Sequence, residues 1–158
     1  LHIKDTNSEL KKDEWGTPQE FFDKLDAEFD FTLDPCANFE RKLKTMNMYD
    51  KHTDGLSCRW FGRVFVNPPY SGNNIEKWVR KVNSEFERDE CDAIVMLIPT
   101  TKTGTKWFRG LVLDKGVEIR FVTGRINFVP LAGQPNNSNP LYSMILIWRK
   151  DKHDRASK

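Results

Sequence analysis

Cysteine is scarce: the chain holds only Cys36, Cys58 and Cys91, and no two of them stand in a Cys-x-x-Cys spacing. No disulfide framework or zinc site is implied by that pattern. His52 and His153 show no metal-ligand spacing and take no role. Long apolar runs are also missing. The longest, Ala93 to Pro99, has the length of a buried strand and falls well short of the roughly 18 residues of a membrane span. No secretory signal is read at the start of the sequence. Charge of one sign is lacking too: 25 Lys and Arg oppose 23 Asp and Glu, a net of +2. A face for nucleic acid would therefore have to come from local clustering of basic residues. These absences point to a reduced, cytoplasmic protein with no membrane partner.

What is present suits a globular chain. Its 158 residues are 38% hydrophobic and 30% charged, enough apolar surface to bury a core and too much for a disordered segment. The expected division is a flexible arm over 1–14, a single domain over 15–149 and a charged tail over 150–158, with little room for a second domain. Five tryptophans and eleven phenylalanines are a heavy aromatic load, which a core and a pocket for a flat ligand can share.

Thr17 and Pro18 read as a helix start, a cap followed by proline in the first turn, with Phe21, Phe22, Leu25 and Phe29 as one apolar face ending near Glu28. Phe29 to Leu33 alternates and stops at Asp34-Pro35, as a short strand would. A further short strand is expected near Met46 to Tyr49. Arg63 to Val66 reads as a strand, and Asn74 to Glu87 as a helix with Ile75, Trp78, Val79, Val82 and Phe86 inward. Ala93 to Ile98 reads as a central strand, Gly104 to Asp114 as a short helix and Val117 to Val122 as a strand. Ile126 to Val129 is a candidate extension of the sheet, Gly133 to Pro140 a loop, and Ser143 to Trp148 the last strand. Strands alternating with helices predict an α/β fold, a mostly parallel sheet with helices on its faces. Asp34 and Asn67 then fall at carboxyl ends of strands, where such sheets bind ligands.

Asn67-Pro68-Pro69-Tyr70 is the sharpest chemical signal. Two prolines restrict the backbone and can aim the Asn67 side-chain oxygen and the Pro68 carbonyl at one point. The exocyclic amine of adenine has two hydrogens to donate to such a pair, which would turn its lone pair toward a methyl donor. Tyr70 can stack on an extruded base or simply pack. Leu33-Asp34-Pro35-Cys36-Ala37 puts a carboxylate at a strand end, where it can meet the cationic end of a cofactor or serve as a turn. No glycine run follows it, so it is no dinucleotide fingerprint. Trp15, beside Gly16, can close over a bound cofactor or pack on the core. Two basic groups, Arg41, Lys42 and Lys44, and Lys102, Lys106 and Arg109, can meet phosphates or face solvent.

Together these segments resemble the small Dam-like N6-adenine methyltransferases of phages and prophages. The resemblance runs from Trp15 to about Phe128. It rests on Trp15-Gly16-Thr17-Pro18, Leu33-Asp34-Pro35-Cys36-Ala37, Asp54-Gly55-Leu56 before Trp60, and Asn67-Pro68-Pro69-Tyr70-Ser71. Leu97-Ile98-Pro99, Trp107-Phe108 and Gly124-Arg125-Ile126-Asn127-Phe128 follow in the same order. The resemblance implies a reduced, Rossmann-like class I methyltransferase fold, S-adenosyl-L-methionine as donor and adenine in double-stranded DNA as acceptor. It implies that Asn67, Pro68, Pro69 and Tyr70 form the catalytic motif. Trp15, Thr17, Pro18, Asp34, Pro35, Cys36 and Asp54 would meet the cofactor. Lys42, Lys44, Lys102, Lys106 and Arg109 would meet nucleic acid. Broader relatives carry Asp-Pro-Phe-x-Gly-x-Gly where this chain has Asp34-Pro35-Cys36-Ala37-Asn38-Phe39-Glu40, so the glycines are absent here. No metal is expected, because transfer from a sulfonium needs no Lewis acid, and a homodimer is one way for a short enzyme to grip duplex DNA.

Other readings share the motif. Glutamine-methylating enzymes resemble the chain at Asn67 but usually keep a glycine-rich loop and a longer N-terminal region. Methylation of RNA adenine or of cytosine N4 stays open, although cytosine enzymes more often show serine before the prolines. A methyltransferase-like protein that only binds nucleic acid is the alternative outside enzymes.

Overall fold

The computed structural model describes residues 16–36, 47–48, 54–128 and 141–150. The expected arm, Trp15, Arg41, Lys42, Lys44, the loop Gly133 to Pro140 and the tail beyond Lys150 lie outside them.

Among the described residues six strands form one sheet: β1 (Leu33–Asp34), β2 (Asn47–Met48), β3 (Gly62–Val66), β4 (Cys91–Pro99), β5 (Glu118–Phe121) and β6 (Ser143–Arg149). Their order is β2-β1-β3-β4-β6-β5. The run β2-β1-β3-β4 is parallel, while β6 is antiparallel to both of its neighbours, β4 and β5. Among the described residues three α-helices accompany the sheet: α1 (Gln19–Phe29), α2 (Asn74–Glu87) and α3 (Lys106–Phe108).

Period-two alternation sorts the strands between two cores. Val64, Val66, Ile94, Met96 and Ile98 pack with Ile75, Trp78, Val79 and Val82 of α2. Phe65, Val95, Leu97, Ile145 and Ile147 pack with Phe22, Leu25 and Phe29 of α1. Helices therefore cover both faces, and β4, with eight of its nine residues buried, is the spine between them. Phe22, fully buried, meets Phe65 edge to face at 5.3 Å and Phe31 at 5.5 Å. Burying one such side chain contributes about 1.5–3 kcal/mol.

Several local expectations are revised. Thr17 does not cap α1: Pro18 holds the cap position and supplies no side-chain cap bond, and the Thr17 hydroxyl accepts from Asn67 instead. α1 runs through Phe29 and then turns at Asp30, which adopts a left-handed φ of 52° with its N–H on the Asp26 carbonyl. That leaves β1 only two residues, Leu33 and Asp34. The helix expected over Gly104 to Asp114 is a composite, with a tight turn at Thr100–Lys102, then α3, then a π-helical turn at Arg109–Leu113. Asn83 donates to the Leu111 carbonyl of that π turn at 2.9 Å and accepts from the Trp148 indole N–H at 2.9 Å. Ile126 to Phe128 do not extend the sheet. The Phe128 N–H turns back onto the Ile126 carbonyl at 3.1 Å, so the alternation there serves burial rather than pairing.

α2 matches its expected bounds, but its inner face is wider than its apolar residues. Asn83 and Glu85 are buried, while Phe86 is half-buried. Glu85 is satisfied by Lys81 at 2.5 Å, Arg88 at 2.9 Å and the Trp60 N–H at 3.1 Å. A buried carboxylate persists only with such partners. Among the described residues no helix is long and apolar enough to cross a membrane.

Candidate active site

The chain leaves β1 toward the outer strand β2 and returns to β3 on the other side of β1. The direction of travel across the sheet reverses there, and open α/β sheets bind ligands beyond the carboxyl ends of the strands at such a switch point. Asp34 ends β1 and Asn67 follows β3, so these two motif residues flank the switch.

Asp34 is buried, and the partner its carboxylate has among the described residues is the Cys36 N–H, which donates to Oδ1 at 3.0 Å. Burial pushes its pKa from 3.8 up to about 7, against the smaller downward pull of that bond. Burial, reinforced by Asp34, also pushes the Cys36 thiol well up, so it stays protonated near neutrality. Pro35 is buried and carries the chain over the strand end.

A turn over residues 54–57 sits against this end. Asp54 spends its side chain there, accepting from the Leu56 N–H at 3.2 Å and the Ser57 hydroxyl at 2.6 Å. Gly55 comes so near Pro35 that a Cβ would lie 2.1 Å from the Pro35 carbonyl oxygen. The Trp60 indole N–H bonds the Gly55 carbonyl at 2.9 Å and secures the turn from the core side. The structure thus brings Asp54 beside Asp34-Pro35, with the exposed Asp54 carboxylate organising its own turn.

On the other side of the switch, Pro68 is buried and Asn67, Pro69 and Tyr70 are half-buried. The Asn67 side-chain Nδ2 donates to the Thr17 hydroxyl at 2.9 Å, across 50 positions of sequence. The Tyr70 hydroxyl donates to the Leu97 carbonyl at 3.3 Å, and its ring meets Phe128 edge to face at 6.1 Å. Burial, with Cys36 as a lesser cause, holds the Tyr70 phenol above its ordinary value, so it acts here as a neutral donor. Pro18 is half-buried beside Thr17 at the start of α1.

Lys102, Lys106 and Arg109 lie on the segment that leaves the carboxyl end of β4, at the same edge of the sheet. Lys106 and Arg109 are exposed and Lys102 is half-buried. Lys106 lines an open groove of about 530 Å³ together with Trp107 and Leu111, opposite Glu76 and Arg80 of α2. Trp15, Lys42 and Lys44 lie outside the described residues.

Sequence reasoning gave no contact to Gly55 or Phe128, though both stand in segments of the resemblance, and it missed the bond between Thr17 and Asn67. Gly55 had a legible cue, since Asp-Gly marks a turn, but nothing local showed what the turn would press upon. Phe128 had none as a partner of Tyr70. The bond between Thr17 and Asn67 had none either, because hydrogen bonds between distant side chains leave no periodic trace.

The family described as DNA N-6-adenine-methyltransferase (Dam) matches residues 4–158. No curated protein matches the chain. With nearly its whole length matched and the motif segments assembled at one sheet edge, the chain belongs to the Dam family of DNA N-6-adenine-methyltransferases, S-adenosylmethionine-dependent enzymes that methylate N6 of adenine in DNA.

Proposed function

We propose that the two strand ends at the switch point divide the work, Asp34 serving the cofactor and Asn67-Pro68 the target amine, within a reduced Rossmann-like class I methyltransferase fold. The parallel run β2-β1-β3-β4, its switch between β1 and β3 and the helices on both faces support that fold reading. The observation that carries the division of work is the pairing of a buried carboxylate on one side of the switch with an anchored carboxamide on the other.

The donor set fits the cofactor. S-adenosylmethionine supplies a methyl group on a positively charged sulfur. A carboxylate whose pKa is raised by burial is stabilised in its charged form by a nearby cation, so Asp34 suits the positive end of that ligand. Gly55, which admits the 54–57 turn onto Pro35, shapes the same side. On the acceptor side, Asn67 Oδ1 and the Pro68 carbonyl each accept one hydrogen of the exocyclic amine. Those two acceptors would turn the nitrogen lone pair toward a bound donor, which would supply its methyl group by in-line displacement, the sulfur leaving as a neutral thioether and the amine proton passing to solvent, helped by orientation and by dipoles fixed in advance. Tyr70, held by Leu97 and Phe128, offers a ring to a base drawn out of the duplex. Lys102, Lys106 and Arg109 extend the edge with positive charge for the DNA backbone.

Transfer of labelled methyl from S-adenosylmethionine to unmethylated duplex DNA, with nucleoside mass analysis, tests the reading. N6-methyladenine from the wild type and none from Asn67→Ala, with cofactor binding retained in the variant, is the expected result. Wild-type turnover by Asn67→Ala would remove Asn67 from the reaction.

A further inference from the structure

We propose that Thr17 is a positioning residue for methyl transfer, its hydroxyl fixing the plane of the Asn67 carboxamide so that Oδ1 meets the target amine. The inference rests on the reading of Asn67 as an acceptor for that amine. Thr17 is only 9% exposed, and its hydroxyl oxygen accepts from Asn67 Nδ2 at 2.9 Å. The cap position of α1 is held by Pro18, so the bond from Asn67 to Thr17 is not a by-product of helix capping.

Both residues are stiffly mounted. Each precedes a proline, Pro18 and Pro68, which biases its backbone toward the extended region. Threonine is β-branched and restricted at χ1, so its hydroxyl is held at a defined place. The terminal torsion of an asparagine, in contrast, is broad. Left alone, the Asn67 amide would sample orientations in which Oδ1 misses the amine. The hydroxyl can accept from the amide nitrogen or donate to the amide oxygen. The incoming amine presents hydrogens to Asn67, so the productive arrangement is the one found, with Nδ2 on Thr17 and Oδ1 left for the substrate. Thr17 stands just before the cap of α1, so the bond ties the segment before that helix to the strand end that carries Asn67.

The test uses Thr17→Val, which keeps the branched shape without the hydroxyl, and Thr17→Ser, which keeps the hydroxyl. Single-turnover transfer at saturating S-adenosylmethionine and duplex DNA gives the chemical rate, calorimetry gives the S-adenosylmethionine Kd, and thermal melting reports the fold. The expected result is a rate lower by roughly 10- to 100-fold in Thr17→Val, the scale of a mispositioned reacting group, with most of it restored in Thr17→Ser. An unchanged saturated rate in Thr17→Val, even with weakened cofactor binding, would overturn the proposal and make Thr17 a cofactor residue only. A lowered rate that Thr17→Ser fails to restore would overturn it as well. If Thr17→Val melts early, the rate of Thr17→Ala decides by the same criterion. Asn67→Ala, assayed beside them, separates the two readings. If it is inactive while Thr17→Val is fully active, only the positioning role fails. If it is fully active, the acceptor reading fails first.

Discussion

Gly55 lies against Pro35 at a distance no side chain would allow, since a Cβ at Gly55 would sit 2.1 Å from the Pro35 carbonyl oxygen and 3.0 Å from its carbonyl carbon. The obstacle is backbone, so a rotamer change cannot relieve it. Gly55→Ala is therefore expected to lift the 54–57 turn off the end of β1. Overpacking of this kind costs about 1–3 kcal/mol. Chemical denaturation should show that loss, and calorimetry should show weaker S-adenosylmethionine binding. Wild-type values in both measurements would mean that the contact relaxes without consequence.

Asp34 should make the enzyme pH-dependent. Its pKa in the folded protein is raised from 3.8 to about 7 by burial. The folded state then holds this proton more tightly than the unfolded chain. Stability from this group is greatest below about pH 4 and is lost as pH rises toward 7, levelling off above it. Binding of a cationic cofactor runs the other way, tightening as the carboxylate ionises through about pH 7. Asp34→Asn should flatten both profiles, raise stability at pH 8 and weaken cofactor binding. Denaturation and calorimetry from pH 5 to pH 8 would check this, and a wild-type profile in the variant would assign the titration to another group.

Tyr70 separates anchoring from stacking. Tyr70→Phe removes only the hydroxyl that donates to Leu97 at 3.3 Å, for an expected loss of about 1 kcal/mol in stability and little in transfer. Tyr70→Ala also removes the ring and should lower transfer strongly while leaving S-adenosylmethionine binding near wild type. Equal transfer by the two variants would argue against a role for the ring on the base.

Glu85 is a structural counterpart to these site residues. Its buried carboxylate joins Lys81, Arg88 and the Trp60 N–H. Glu85→Ala leaves the Trp60 N–H without its acceptor and removes the acid between Lys81 and Arg88, which keep the Cys58 carbonyl and Glu90, for an expected destabilisation of roughly 1–3 kcal/mol measured by urea denaturation. A loss below about 1 kcal/mol would show the network to be no better than a surface ion pair.

Lys106 and Arg109 are exposed at the sheet edge that carries Asn67-Pro68-Pro69-Tyr70. If each meets a phosphate, replacing either with alanine should weaken DNA binding across all sequences and shallow the salt dependence by about one counterion. An unchanged slope would place the DNA backbone elsewhere.

Much of this arrangement is written locally. A proline after Asp34 and another after Asn67 stop each strand where it stands, because the ring restricts the preceding residue whatever surrounds it. The buried run of β4 and both ends of α2 are equally local, a matter of apolar length and of 3.6-residue periodicity. From these alone follow an α/β domain with helices on the faces of its sheet and the placing of Asp34 and Asn67 at strand ends, whereas the sheet itself is mixed, with three parallel and two antiparallel pairings. The tertiary structure decided the rest: β6 running antiparallel between β4 and β5, Glu85 drawn into the core, Phe128 turned onto the Tyr70 ring, and Thr17 spent on Asn67 rather than on its own helix. Each of these depends on a partner distant in the chain. Hydrogen bonds and packing between such partners are chosen by the folded geometry, and no short stretch of sequence records them.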